Sequence, residues 1–173
     1  LIFGGTLDRV TPIADHTQPM YNSLQSSCKT FVKITDAAHC QYAANSSLCE
    51  VGEATSCIGC SFISRADQQA ITFGILLPWL NFHLKGDCSA YPVFEASLVN
   101  TGGIVVERSC NYSLPVAAIS VNGATTICPE DSVSLSVPSA PGVMWSNGNM
   151  TNSTVVTAGS YAVTINDAFG CTA

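Results

Sequence analysis

The sequence opens with Leu1-Ile2-Phe3-Gly4-Gly5-Thr6-Leu7-Asp8-Arg9-Val10-Thr11-Pro12. Its first three residues form an apolar run without alternation, which is typical of a parallel strand covered on both faces. Gly4 and Gly5 then allow the chain to leave the sheet in conformations that other residues avoid. Asp8 follows just past the carboxyl end of this strand, where open α/β sheets bind their ligands. The stretch therefore predicts a buried strand that delivers one carboxylate to a site.

A second strand pattern, Cys28 to Thr35, is followed closely by His39. A carboxylate and an imidazole that follow consecutive strands make two thirds of a nucleophile–base–acid triad, and the chain order Ser…Asp…His is that of α/β-hydrolases. We therefore predict Asp8 and His39 as catalytic acid and base. Two simpler interpretations stand beside this one: Asp8 caps the following helix, and His39 is an ordinary loop histidine.

The nucleophile of such a triad should precede Asp8, so we expect it outside this sequence, in an N-terminal part of the natural protein. No Gly-x-Ser-x-Gly occurs in the 173 residues. Cys40 is a poor substitute, because adjacent side chains point apart. The expected chemistry is ester hydrolysis through an acyl-enzyme, and the chain alone is predicted to be inactive. The alternatives are a non-catalytic surface protein built on a degenerate hydrolase fold, and a peptidase or acyltransferase on the same fold.

The composition and net charge of the chain exclude some classes of binding partner. The chain is 47% hydrophobic and only 10% charged, its net charge is −6, and it has six Lys and Arg in total. Nucleic acid is a poor partner because few cations are present to neutralise phosphates. No apolar run is long enough to cross a bilayer. We expect an ester substrate and the N-terminal remainder of the hydrolase as partners, and neither a cofactor nor a metal.

Nine cysteines indicate an oxidising compartment, and hence a secreted or cell-surface protein. Four of them lie in the loop from Cys40 to Phe62, where disulfides that brace the loop beside the histidine are expected. Four cysteines permit three pairings, among which the sequence does not choose. Zinc binding and a redox dithiol are the alternatives for the Cys-x-x-Cys motif of this loop. The four cysteines are Cys40, Cys49, Cys57 and Cys60.

The clearest helix signal runs from Ser64 to Leu84, with Ser64-x-x-Asp67 as a capping box and Pro78 as a kink. A core-facing stripe is predicted on it at Ala66, Ala70, Phe73, Leu77, Leu80 and Leu84. The arm that follows is predicted to contain a helix at 91–98 and a strand at 104–107, and a bridge between Cys88 and Cys110 would close it.

Helix patterns vanish near residue 114, and short β runs between Gly, Pro, Asn and Ser take over. Strands at this spacing predict a small sandwich. A bridge between Cys128 and Cys171 would strengthen its thin core. The predicted β runs are 117–121, 132–137, 143–145, 154–156 and 160–165. We therefore divide the chain into a segment 1–112 and a β module 113–173.

The first segment resembles the C-terminal third of secreted α/β-hydrolases of the cutinase and polyester-hydrolase type, within the dienelactone-hydrolase-like group. The resemblance implies a parallel sheet with covering helices, with the acid and base at the places of Asp8 and His39. The residues that carry it are Gly4-Gly5-Thr6-Leu7-Asp8 with Thr11-Pro12, Tyr21-Asn22-Ser23-Leu24, Asp36-Ala37-Ala38-His39 with Asn45, Trp79-Leu80-Asn81-Phe82, Tyr91, Phe94 and Cys110.

The second segment resembles Ig-like or PKD-like repeats at the C-terminal ends of large secreted proteins of Bacteroidetes. The resemblance implies an adhesive, spacing or secretion-related module. The expected fold class is thus the C-terminal portion of an α/β-hydrolase followed by a small Ig-like sandwich. The residues that carry the second resemblance are Ile127-Cys128-Pro129-Glu130-Asp131-Ser132-Val133, Trp145-Ser146-Asn147-Gly148, Gly159-Ser160-Tyr161-Ala162-Val163-Thr164 and Gly170-Cys171.

Overall fold

A computed structural model describes residues 1–110 and 112–173. The chain forms two compact units, Leu1–Tyr112 and Ser113–Ala173. Within the described residues, no helix combines the length and the apolar character that a membrane crossing requires.

The first unit is built on a three-stranded sheet. Its strands are β1 (Ile2–Gly5), β2 (Cys28–Ile34) and β3 (Ile104–Cys110), in the order β1-β2-β3. β1 pairs with β2 in parallel, whereas β3 pairs with β2 antiparallel. The central strand β2 is the most deeply buried, because it has a neighbour on either side and its apolar residues are fully covered. The parallel pair is what brings the two predicted site segments to one end of the sheet.

Four helices and a 3₁₀ turn accompany this sheet. A short helix joins β1 to β2, and the 3₁₀ turn Cys40–Tyr42 follows the histidine directly. The helices are α1 (Thr17–Ser23), α2 (Ser47–Ser56), α3 (Arg65–Lys85) and α4 (Ala90–Asn100).

The long helix α3 begins as the sequence predicts. The Ser64 hydroxyl accepts a hydrogen bond from the Asp67 amide at 3.1 Å, which satisfies a free N–H group of the first turn. The helix ends at Gly86, whose left-handed conformation (φ 67°) suits glycine. The predicted core stripe, however, is wrong: Phe73, Leu77 and most of its other members are exposed. The buried residues of α3 are instead Gln68, Ile75, Pro78 and Phe82.

Three disulfides lie within the described residues of this unit: Cys28–Cys110, Cys40–Cys49 and Cys57–Cys60. The predicted Cys88–Cys110 bridge is wrong, because the antiparallel register places Cys110 opposite Cys28. The predicted Cys128–Cys171 bridge is also wrong, because Cys128 is free and exposed.

The second unit contains five short strands in two antiparallel sheets, ordered β4-β5-β7 and β6-β8. Strands occur at all five of the predicted β runs. The unit's core is built around Trp145, whose indole N–H donates to the Thr151 carbonyl at 2.9 Å; its other buried members are Leu135, Val137, Val143, Val156 and Ile165. The strands are β4 (Ser120–Asn122), β5 (Val133–Ser136), β6 (Gly142–Trp145), β7 (Ser153–Val156) and β8 (Val163–Asn166).

The predicted fold class is therefore wrong. In place of an α/β-hydrolase sheet followed by an Ig-like sandwich, the chain has three small, separate and mostly antiparallel sheets of three, three and two strands within its described residues. In the first unit the reason lies in α3 and α4, which pack against each other and return the chain to the end of β2 that it had left. The Thr35 amide donates to the Gly103 carbonyl at 2.8 Å at that end, so β3 must run antiparallel to β2.

Candidate active site

Asp8 lies in a tight turn just after β1, and its own side chain shapes that turn. Its Oδ1 accepts hydrogen bonds from the Val10 amide at 2.9 Å and from the Thr11 amide at 2.7 Å. An aspartate that binds backbone groups two and three residues ahead stabilises a turn. The carboxylate is only 5% exposed, yet it is well satisfied. Burial and the hydrogen bonds within its own turn thus fix the position of the Asp8 carboxylate independently of His39.

The turn that carries Asp8 is joined directly to the loop that carries His39. The Leu7 amide donates to the Ala37 carbonyl at 3.0 Å, and the Asp36 amide donates to the Thr6 hydroxyl at 2.8 Å. Gly5 makes this approach possible, because a Cβ there would lie 2.4 Å from the Ala37 carbonyl oxygen. The glycine that the sequence singles out is therefore required by the close passage of the two segments.

Asp8 and His39 meet side by side. The distance from Asp8 Oδ2 to His39 Nδ1 is 3.1 Å, which is hydrogen-bonding distance. The carboxylate is buried, whereas 39% of the imidazole side chain is exposed. The side-chain hydrogen bonds of His39 within the described part of the chain involve Nδ1 and leave Nε2 available. An imidazole anchored through one nitrogen and open at the other is suited to transfer protons at the open nitrogen.

Thr11 completes the pair with a side chain that sequence reasoning missed. Its hydroxyl lies 2.8 Å from Asp8 Oδ2 and 3.1 Å from His39 Nδ1. In the sequence Thr11 is among the residues that carry the hydrolase resemblance, but no role follows from it there; its position three residues after the aspartate is where a turn of this kind places a second hydrogen-bonding group.

The electrostatics of the site keep Asp8 ionised. Burial alone would raise the pKa of Asp8, but hydrogen bonds from the Thr11 amide and hydroxyl and from His39 outweigh it, so the pKa of Asp8 lies below its ordinary value. Tyr42 lies in the same electrostatic field: burial, together with the negative charge of Asp8, raises the pKa of its hydroxyl. The site thus holds a stable negative charge beside the imidazole.

This lowered pKa makes the stability of the fold depend on pH. A carboxylate whose pKa is depressed in the folded state stabilises the fold above its ordinary pKa and loses that contribution as pH falls through the folded value. The stability difference between wild type and Asp8→Asn should therefore be largest near about pH 7 and shrink towards about pH 3. Urea unfolding across this range measures it, and a difference that does not change with pH would contradict the assignment of Asp8 as the ionised partner.

The residues on either side of His39 are held by polar side chains from α2 and α3. Gln68, which is fully buried, donates to the Ala38 carbonyl at 2.8 Å and accepts from the Ala38 amide at 3.0 Å. Buried Glu53 accepts from the Cys40 amide at 3.2 Å, and Arg65 donates to the Cys40 carbonyl at 2.6 Å. The sequence gives no signal for these contacts, since each residue resembles an ordinary polar helix position.

The Cys-rich loop has a structural role in this arrangement. Cys40, directly after His39, is bonded to Cys49 of α2, and Cys57 is bonded to Cys60. The Cys-x-x-Cys pair therefore exists as a disulfide and has no free thiolates for zinc. No cluster of three or more His, Cys, Asp or Glu side chains with metal-binding geometry occurs in the part of the chain that the structure describes.

Comparison of the chain with protein-family models, with curated proteins and with solved structures gives no match.

Proposed function

We propose that the protein is a secreted serine hydrolase that acts on carboxylic esters, with Asp8 as the acid and His39 as the base of a Ser-His-Asp triad. The proposed serine is carried by a segment upstream of Leu1. The observation that supports this proposal best is the 3.1 Å contact between a buried, ionised carboxylate and the Nδ1 atom of a half-buried histidine. In such triads a buried aspartate fixes the tautomer of the histidine and stabilises its protonated form.

The proposed reaction proceeds in two halves. His39 Nε2 takes the hydroxyl proton of the serine as its oxygen bonds to the ester carbonyl carbon, and Asp8 stabilises the imidazolium. The bond to the leaving alcohol then breaks, and His39 returns the proton to that alcohol. Water then enters, gives a proton to His39 and attacks the acyl carbon. The bond between that carbon and the serine oxygen breaks, His39 returns the proton to the serine oxygen, and the carboxylic acid leaves.

Two features of the first unit support a further segment that packs against it. The face of α3 that carries Phe73 and Leu77 is exposed, with 48% and 53% of these residues accessible. Strand β1 is an edge strand, so one side of it is unpaired in the sheet. Apolar helix faces and open edges are normally covered, and we propose that the serine-bearing segment covers them.

Export is part of the same proposal. Disulfides form and persist in oxidising compartments, and three lie within the described residues of the first unit. One of them joins the residue after His39 to α2. A site braced in this way suits a secreted or cell-surface enzyme.

The test uses the full-length polypeptide, extended upstream of Leu1. A fluorophosphonate probe should label one serine upstream of Leu1, and the protein should hydrolyse p-nitrophenyl esters. His39→Ala should lower kcat by at least about 10³-fold, because the general base is lost. The chain 1–173 alone should not be labelled.

His16→Ala serves as the matched control, because this exposed histidine at the start of α1 has no part in the site; it should retain full turnover. Equal labelling and turnover in wild type and His39→Ala would refute the proposal. Absence of any labelled serine in the full-length protein would favour a non-catalytic surface protein. A panel of ester chain lengths would then define the substrate of an active enzyme.

A further inference from the structure

We infer that Thr11 is a positioning residue that holds His39 in the tautomer with its proton on Nδ1, through a hydroxyl shared between Asp8 and the imidazole. The catalytic meaning of this role rests on the proposed function. The effect of Thr11 on the tautomer of His39 is a property of residues 1–173 and can be measured without the serine.

Three polar atoms of Asp8, Thr11 and His39 form a closed triangle. Asp8 Oδ2 lies 2.8 Å from Thr11 Oγ1 and 3.1 Å from His39 Nδ1, and the third side, from Thr11 Oγ1 to His39 Nδ1, is also 3.1 Å. An ionised carboxylate only accepts hydrogen bonds. The Thr11 hydroxyl therefore points its proton at Oδ2, and its lone pairs remain available on the side of His39.

The two imidazole tautomers differ in how many of these three contacts can be hydrogen bonds. With a proton on Nδ1, that N–H can donate to Asp8 Oδ2 and share its proton with Thr11 Oγ1, so two hydrogens serve three contacts. With the proton on Nε2, a bare nitrogen lone pair faces the carboxylate oxygen, and the single hydroxyl proton cannot serve both neighbours. Thr11 therefore reinforces the tautomer that leaves Nε2 unprotonated and able to act as a base.

The backbone holds Thr11 where this contact requires it. Its amide donates to Asp8 Oδ1 at 2.7 Å, so the same carboxylate fixes both the main chain and the side chain of Thr11. Pro12 restricts the preceding residue to extended conformations, and the branched Cβ of threonine restricts its side-chain rotation. The hydroxyl is thus presented to the imidazole with little freedom of its own.

The imidazole depends on these contacts for its orientation. His39 is 39% exposed on its side chain, so packing encloses the ring only in part. Within the described residues the hydrogen bonds of its ring go to Asp8 and Thr11. A ring held at one nitrogen by two acceptors in different directions resists rotation better than a ring held by one.

The experiment measures the tautomer of neutral His39 in the 173-residue chain by long-range ¹H–¹⁵N NMR of the imidazole. In Thr11→Val, which keeps the shape and the amide of Thr11 but removes the hydroxyl, the ratio of Nδ1–H to Nε2–H should fall about fivefold, the effect of one ordinary hydrogen bond. Thr11→Ser should restore the wild-type ratio. An unchanged ratio in Thr11→Val, or a failure of serine to restore it, would overturn the inference.

Thr6→Val is the matched control, because the Thr6 hydroxyl binds the Asp36 amide in the same pair of segments but lies outside the triangle. It should lower the melting temperature without changing the tautomer ratio. A change as large as that in Thr11→Val would show a general loosening of the site and would also overturn the inference.

A parallel measurement in the full-length protein separates the two proposals. If serine labelling succeeds, Thr11→Val should lower kcat about fivefold at unchanged KM, and Thr11→Ser should recover it. If no serine is labelled, the proposed function fails, while the tautomer ratio still decides the role of Thr11 in the chain.

Discussion

If the proposed function holds, Asp8→Asn should lower kcat of the protein extended upstream of Leu1 about 10⁴-fold, the loss expected when the acid of a triad becomes an amide. The backbone around residue 8 determines the orientation of the asparagine side chain. Two backbone N–H groups, from Val10 and Thr11, point at Oδ1, so the amide oxygen must take that place. The NH₂ group then replaces Oδ2 and faces His39 Nδ1. It would donate to that nitrogen, force the proton onto Nε2 and remove the base.

The control for this prediction is Asp36→Asn in the loop that carries His39. Asp36 is exposed, and the hydrogen bonds that anchor it to its neighbours come from its main chain. Its replacement should change kcat by no more than about twofold, as for an ordinary surface position. Imidazole NMR of Asp8→Asn should show a proton on Nε2. A folded Asp8→Asn variant with near wild-type kcat would remove Asp8 from the proposed triad.

Gly5→Ala should have the second largest effect, although it changes no polar group. The added Cβ would lie 2.4 Å from the carbonyl oxygen of Ala37, two residues before His39. Backbone atoms must move to relieve this overlap, which costs about 1–3 kcal/mol of unfolding free energy. Because the same movement separates Asp8 from His39, kcat should fall about 10²-fold, the effect of misplacing a catalytic group by about 1 Å.

Gly52→Ala is the matched control. A Cβ at Gly52, in the middle of α2, meets nothing within 4 Å. Alanine is the better helix former, so this variant should gain up to about 1 kcal/mol of stability with unchanged kcat. Urea unfolding and steady-state kinetics measure both variants. If Gly5→Ala keeps the full stability and activity of wild type, the close passage at Gly5 does not hold the site together.

Local signals predicted the features of the site that depend on neighbouring residues. The apolar run of β1, the glycines after it and the pattern of β2 place Asp8 and His39 at the ends of two parallel strands, and the structure has them 3.1 Å apart. The start of α3 was predicted for the same reason, because a capping box is complete within four residues.

Features that depend on distant partners could not be predicted. Gln68 occupies a polar helix position, and only the position of Ala38 in space explains why it is fully buried. The pairing of Cys110 with Cys28 depends on the register of β3, which α3 and α4 determine. The prediction of a parallel sheet was wrong for the same reason. A strand pattern in the sequence does not show the direction of the strand, and α3 and α4 return the chain so that β3 runs antiparallel to β2.

The acid and the base of the proposed site are 31 positions apart in the chain and belong to one strand–helix–strand crossover. A loop of this length costs little entropy to close. The carboxylate and the imidazole are therefore brought together by segments that are close in sequence, and Gln68 of α3 and Glu53 of α2 then fix the residues on either side of His39.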